Sequence, residues 1–232
     1  MLFKSQILTQ ASGSIGGTTF SHNRSGMYQR ARSIPTNPQS ANQVAVRMYL
    51  ADAVTAWGQT LTQAERDAWT TYATNVPVVN KLGDTVFLTG QQMYIRSYVA
   101  GVQGGLSPAT FSVAPTIFDT GDTGEITLAS ATAATPVATF AIAGSPAWAE
   151  DDDAYALIAL GIPQNPTVNF YKSPFRFNVA VGGDSVTPLT ALTATPTGDR
   201  VFAAGQRVFA CVRILQSDGR LSNRNVFNVL AS

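Results

Sequence analysis

The hydrophobic period changes once along this chain, and that change sets the fold class. Between Asn42 and Gly105 apolar residues recur every three or four positions, whereas from Pro115 onward they alternate. Val46, Leu50, Val54, Trp57 and Leu61 follow intervals of four, four, three and four. They predict one apolar face of a helix starting at Asn42, which Gly58 ends or loosens. LTQAERDAW pairs Thr62 with Glu65 as a capping box, opening a second helix whose stripe is Ala68, Trp69, Tyr72 and Ala73. It stops before Pro77. TGQQ repeats the device with Thr89 and Gln92. The third helix then sets Met93, Ile95, Tyr98, Val99 and Val102 on its apolar side, and Gly104 and Gly105 end it. Three helices in about 65 residues bury only a small core, marginal for a free-standing fold.

The second half reads as strands. FRFNVAV alternates, with Phe175, Phe177, Val179 and Val181 on one side. EITLAS, TPVATFAIA, AYALIALGI and RVFACVRILQ are further strands between Gly, Pro, Asn and Asp clusters. QSDGRLSN places Asp218 and Gly219 between two strand-like runs, a hairpin signal. About seven short strands without an intervening helix pattern predict an antiparallel sandwich. The expected fold class is α+β. An extended N-terminal arm covers residues 1–41, a small helical domain 42–110, and a C-terminal antiparallel β-sandwich 111–232.

The arm carries the least regular sequence. Residues 13–40, GSIGGTTFSHNRSGMYQRARSIPTNPQS, hold four glycines, four basic side chains counting the only histidine, and no carboxylate. GSIGG is neither GxGxxG nor a P-loop, and no helix pattern follows, so the helix N-terminus that would bind phosphate is missing. Pro35 and Pro38 hold Ile34 and Asn37 extended. GGTTF and MYQRAR can pair as a short hairpin across SHNRSG, although an extended arm fits the segment better than a packed domain.

Charge sharpens this picture. Charged residues are 12% of the chain, about half the usual share, and the net charge is +1. Residues 1–110 carry eight basic and four acidic side chains, whereas 111–232 carry seven and ten. A basic head thus joins an acidic body. Five basic residues before Asp52 are too sparse for a polyanion-binding arm, which argues against nucleic acid and for arginine contacts to a neighbouring subunit.

Candidates for chemistry are few. The single cysteine, Cys211 in VFACVRIL, excludes an internal disulfide and a thiolate metal cluster, and reads as a buried small residue. His22 has no acid beside it, so neither a zinc site nor a catalytic dyad is visible, and no GxSxG elbow occurs. No catalytic residue, metal ligand or cofactor is expected. Glu150, Asp151, Asp152 and Asp153 form the densest charge and read as an exposed loop tip, with a cation site or a neighbour's basic head as further options. No run approaches a membrane span, and MLFKSQILTQASG lacks the apolar stretch of a signal peptide, so synthesis in a cytoplasm is expected.

Three stretches in order resemble a module of tailed-phage and prophage structural proteins: GSIGGTTFSHNRSGMYQRARSIPTNPQSANQVAVR, WGQTLTQAERDAWTTYA and LTGQQMYIR. The shared features are a Gly-rich, Arg-containing arm, a TNP segment followed by Gln and Arg, and a helical pair with the pattern W…LT…ER.AW..YA. The likeness covers roughly residues 12–100. RVFACVRILQSDGRLSNRNVFNV is similar to the closing hairpin of fibronectin type III-like or immunoglobulin-like domains, without the Cys–Trp–Cys pattern of true immunoglobulin domains.

This resemblance implies a virion component made in the host cytoplasm, and not an enzyme. The expectation is a capsid decoration or cement protein whose arm grips the major capsid protein or sister copies. A homo-oligomer is implied, with a trimer as the guess. Phe20, Met27 and Tyr28 would be apolar anchors, and Arg24, Arg30 and Arg32 polar clamps. A tail, baseplate or fibre-attachment protein is the alternative. A carbohydrate-binding module with Trp148 and Tyr155 as its aromatic platform is a third reading, and a serine hydrolase a fourth.

Overall fold

The computed structural model describes residues 12–24, 26–34, 36–80, 83–121 and 125–232. Residues 1–11, Lys4 among them, and Pro35 lie outside the described residues. Contacts divide the chain once, into Met1–Gln43 and Val44–Ser232.

In the first unit, β1 (Gly13–Ile15), β2 (Thr18–Asn23) and β3 (Gly26–Ala31) form an antiparallel sheet in the order β1-β2-β3. The extended arm is therefore a sheet over these residues, and the hairpin across SHNRSG is its β2–β3 half. Gly16, at φ 56, supplies the turn between β1 and β2, a conformation glycine adopts at little cost. Thr18, Thr19 and Tyr28 bring the β-branched and aromatic side chains that favour strands.

In the second unit the three helices are α1 (Ala41–Thr55), α2 (Gln63–Asn75) and α3 (Gly90–Gly104). A π-helical turn at Ala56–Thr60, with Gly58 inside it, extends α1. Both capping boxes form as their spacing predicts: Thr62 with Glu65, and Thr89 with Gln92. Gly105 closes α3 in the left-handed region at φ 103, where its N–H and that of Leu106 take up the orphan carbonyls of Val102 and Gly101.

After the two-residue strands β4 (Val78–Val79) and β5 (Thr85–Val86), seven strands follow. They are β6 (Ile126–Thr132), β7 (Val137–Ile142), β8 (Tyr155–Leu160), β9 (Arg176–Gly182), β10 (Ala191–Ala194), β11 (Arg207–Leu215) and β12 (Asn225–Leu230). A three-stranded sheet, β10-β7-β6, faces a four-stranded sheet, β12-β11-β8-β9, and all pairings are antiparallel. Phe140, Leu192 and Ile126 from one sheet meet Ile158, Val212 and Ile214 from the other in a fully buried core.

The other face of the four-stranded sheet carries the helices. Leu157, Leu215 and Leu221 share a second core with Trp69, Tyr72, Met93, Tyr94 and Phe111. The helical segment thus has no closed core of its own at the expected boundary near residue 110. Six aromatic rings are linked there: Trp57, Trp69, Tyr72, Tyr94, Tyr98 and Phe111 lie with centroids 5.5–5.8 Å apart along the chain of contacts. The β11–β12 turn is tied in as well. Arg96 Nη2 donates to the Ser222 carbonyl at 2.9 Å, Tyr72 Oη donates to the Asp119 carbonyl at 2.7 Å, and Arg220 bridges the Asp119 and Asp218 carboxylates.

Two alternations depart from expectation. Val179 and Val181 face the sandwich core, but Phe177 packs on the helical side. The cause is a bulge: Ile158 pairs with Val179 and Ala159 with Phe177, leaving Asn178 as the extra residue that reverses the side-chain order. The helix α1 is as predicted, but of the expected apolar face only Trp57 and Leu61, just beyond its end, pack into the core. Ala53 is fully buried and Ala45 and Tyr49 half-buried, whereas Val46, Leu50 and Val54 are 44–48% exposed. The small side chain of Ala53 allows close approach to the core that holds the aromatic cluster.

Burial also sets an alkaline limit. The Tyr72 and Tyr94 phenols are pushed up to about 12, chiefly by burial, from an ordinary 10. Between those values the folded state holds more protons than the unfolded one. The stability they contribute is complete below pH 10 and is lost as pH rises toward 12. Arg96, brought down to about 10 first by burial and then by Arg213, acts in the opposite direction together with the lowered Arg213, while Tyr98 and Cys211, both raised by burial, act with the two tyrosines. The denaturation midpoint is expected to fall between about pH 9 and about pH 11, with part of the tyrosinate absorbance appearing only at unfolding. A midpoint flat over that range would refute the assignment.

Candidate functional site

The six residues expected to grip a partner all lie in the first unit. Register sorts them. Phe20 pairs with Gln29 and His22 with Met27, whereas Ser21 pairs with Tyr28 and Thr19 with Arg30. Side chains of directly paired residues share a side, so Phe20 and Met27 stand on one face and Tyr28 and Arg30 on the other. Ile15, opposite Thr18 and 77% exposed, joins the Phe20 face. Arg24 sits in the β2–β3 turn, and Arg32 follows β3, where its backbone N–H donates to the Gly17 carbonyl at 2.9 Å. The sheet therefore brings together an apolar trio and separates it from Tyr28 and Arg30. Ile15 and the two-faced division were not visible without the register.

None of the described residues in 12–43 is buried. Phe20, Met27 and Tyr28 are half-covered, and Arg24, Arg30 and Arg32 exposed. Among the described strands of this sheet, β1 and β3 are the edges. A small sheet with no fully buried side chain among its described residues has little apolar burial to hold it together in water.

In the second unit, α1 is a further exposed surface. Val44, Val46, Met48, Leu50 and Val54 are 38–58% exposed, with Arg47 and Asp52 as its only charges. A helix that is apolar nearly all round is normally covered. The periodicity had named three of these residues, but as core.

Other sequence candidates are placed differently. Trp148 is 2% exposed inside the sandwich, so it cannot form a sugar platform with Tyr155, which is half-buried against the helical core. The acidic run is a hydrogen-bonded loop. Asp152 accepts from the Ser185 N–H at 2.8 Å and its hydroxyl at 3.0 Å, and Asp151 accepts from the Asp153 N–H and the Ser217 hydroxyl. Cys211 is buried, and burial raises its thiol pKa. His22 lies exposed on β2. Among the described residues, no group of three or more His, Cys, Asp or Glu could hold a metal ion, and no helix is long and apolar enough to cross a membrane.

No protein-family model, curated protein or solved structure matches the chain.

Proposed function

We propose that the protein is a structural component of a tailed-phage virion, a capsid decoration protein that holds capsid subunits or sister copies through its amino-terminal sheet. One observation carries this reading: residues 13–31 include a regular three-stranded sheet, yet none of their described members is buried. Such a sheet gains its missing stabilisation when a partner covers the Ile15, Phe20 and Met27 face or adds a strand at β1 or β3. Arg24, Arg30 and Arg32 then supply charge-assisted bonds around it. Gripping of this kind is cohesive and needs no catalytic group. The apolar side of α1 offers a second contact area.

The seven-stranded sandwich, with its β11–β12 hairpin turning at Asp218 and Gly219, supports the fibronectin III/Ig-like reading of the carboxyl-terminal half. Its fourth strand lies beside the third, and not beside the fifth as in constant-type immunoglobulin domains.

The test is mass analysis and co-sedimentation with capsid shells, for the full chain and for a chain lacking residues 1–40. The full chain is expected to form a defined oligomer or to bind shells, and the truncated chain to do neither. A full chain that stays an inert monomer without affinity for shells overturns the decoration reading. If tail fractions capture it instead, the tail or baseplate alternative takes its place.

A further inference from the structure

A second site lies in the carboxyl-terminal unit, on the outer face of the four-stranded sheet. Even-numbered residues of β11 point into the sandwich, so Phe209, Cys211 and Arg213 point outward. α3 covers one end of this face. Beside it a recess of about 260 Å³ is lined by Gln103, Cys211, Arg213 and Arg224. It adjoins a groove of about 800 Å³ whose lining includes Asn169, Phe170, Lys172 and Asn228. Phe175 and Arg224 line both.

The charge in this place is one-sided. Lys172, Arg213 and Arg224 are three of the seven basic residues in a half that carries ten acids, yet no acid lines either volume. None of the three has an ion-pair partner among the described residues. Arg213 Nε is buried without an acceptor. A guanidinium N–H left so is costly, and the charge of its group is uncompensated by any acid lining the recess. Burial, then the nearby Arg224 charge, lowers the Arg213 pKa, and a bound anion would relieve both effects.

The rest of the groove is preformed. Tyr171 stacks on Phe209 at 5.3 Å, donates its hydroxyl to the Pro174 carbonyl and accepts from the Ile162 N–H. Gly161 is required there, because a Cβ would lie 2.6 Å from the Tyr171 ring. Phe170 is 76% exposed at the rim.

We propose that this groove binds a carboxylated sugar, with the acid held by Arg213 and Arg224 and the ring lying against Phe170 and Phe175. Two guanidinium groups suit a carboxylate. Aromatic faces suit the apolar side of a sugar ring, and Asn169, Ser173 and Asn228 can bond its hydroxyls. The volume falls within the range of small-ligand sites. A bare phosphate would use the recess alone. A peptide would add backbone bonds only along the edge of β12, whereas the cations and aromatic rings that line this place lie on the face of the sheet and in the loop beside it. The site does not depend on the assembly reading, and either can fail without the other.

Titration calorimetry of the full chain tests it, using trigalacturonate and sialyllactose as acidic sugars. Maltotriose, a triglutamate peptide and inorganic phosphate serve as comparisons. At least one acidic sugar is expected to bind, about tenfold or more tighter than maltotriose, and to weaken with added salt. Arg224→Gln and Phe170→Ala alter exposed side chains and should each weaken binding about tenfold without lowering the denaturation midpoint. Arg213→Gln should do the same, and the two exposed variants decide the matter if it fails to fold. The proposal is overturned if neither acidic sugar binds, if maltotriose binds equally, or if only triglutamate or only phosphate binds.

Discussion

Replacing Trp69 with alanine is expected to cost about 4 kcal/mol or more, a large part of the stability of an ordinary domain. The side chain is fully buried, and it packs edge-on against Tyr72 at 5.8 Å and Tyr94 at 5.6 Å. Its Nε1–H donates to the Phe111 carbonyl at 3.0 Å. Alanine leaves a cavity between α2, α3 and the turn that holds Phe111, and strands that carbonyl. Trp69→Phe separates the two causes: it keeps most of the ring contact and loses the hydrogen bond, so about 1–3 kcal/mol is expected. Because this cluster shares its core with Leu157 and Leu215, the helices and the β8–β11 sheet should unfold together. Fluorescence and far-ultraviolet dichroism should give one denaturation midpoint, lowered in the variant. A helical transition that separates from the sheet would show that the shared core does not couple them.

The second large effect is expected at Gly183. A Cβ built there would lie 2.4 Å from the carbonyl oxygens of both Trp148 and Asp151. Both obstacles are backbone, so no rotamer change relieves the clash. The Gly183 N–H also donates to the Ala154 carbonyl at 2.9 Å, fastening the end of β9 to the acidic loop. Gly183→Ala is expected to destabilise by about 2–3 kcal/mol and to raise hydrogen exchange at Asp184 and Leu189, whose N–H groups donate to Ala149. Gly144→Ala is the control. That residue has φ 72 with open space around it, so only the backbone preference is lost, about 1 kcal/mol. Equal losses at the two positions would remove the packing argument.

Local chemistry was legible in the sequence wherever a few neighbouring residues decide the outcome. The two capping boxes, the glycine stop of α3 and the Asp218-Gly219 turn depend on groups within four positions, and all four formed. Most strands were legible from alternation, although the four-residue β10 was too short to stand out. Faces were less legible than elements. Periodicity says that one side of α1 differs from the other, but the neighbours decide which side is covered. Here Ala45, Tyr49 and Ala53 turn inward, and Val46, Leu50 and Val54 stay outside. The bulge at Asn178 similarly moved Phe177 away from Val179, a one-residue event that alternation cannot anticipate.

The candidate surfaces divide along the same line. Phe20, Met27, Tyr28 and the arginines could be named from composition, but their separation onto two faces required the pairing of β2 with β3. Lys172, Arg213 and Arg224 are up to 52 positions apart and carry no motif, so nothing in the order of residues joins them. By itself the sequence determined the elements, their caps and turns, and the change from helix to strand, because backbone preferences and capping bonds act over short range. Only the tertiary structure decided which faces are buried, that helices and sandwich share a core, and that three cations line a groove and the recess beside it. Those outcomes depend on side chains brought together from distant parts of the chain, where packing and desolvation outweigh local preference.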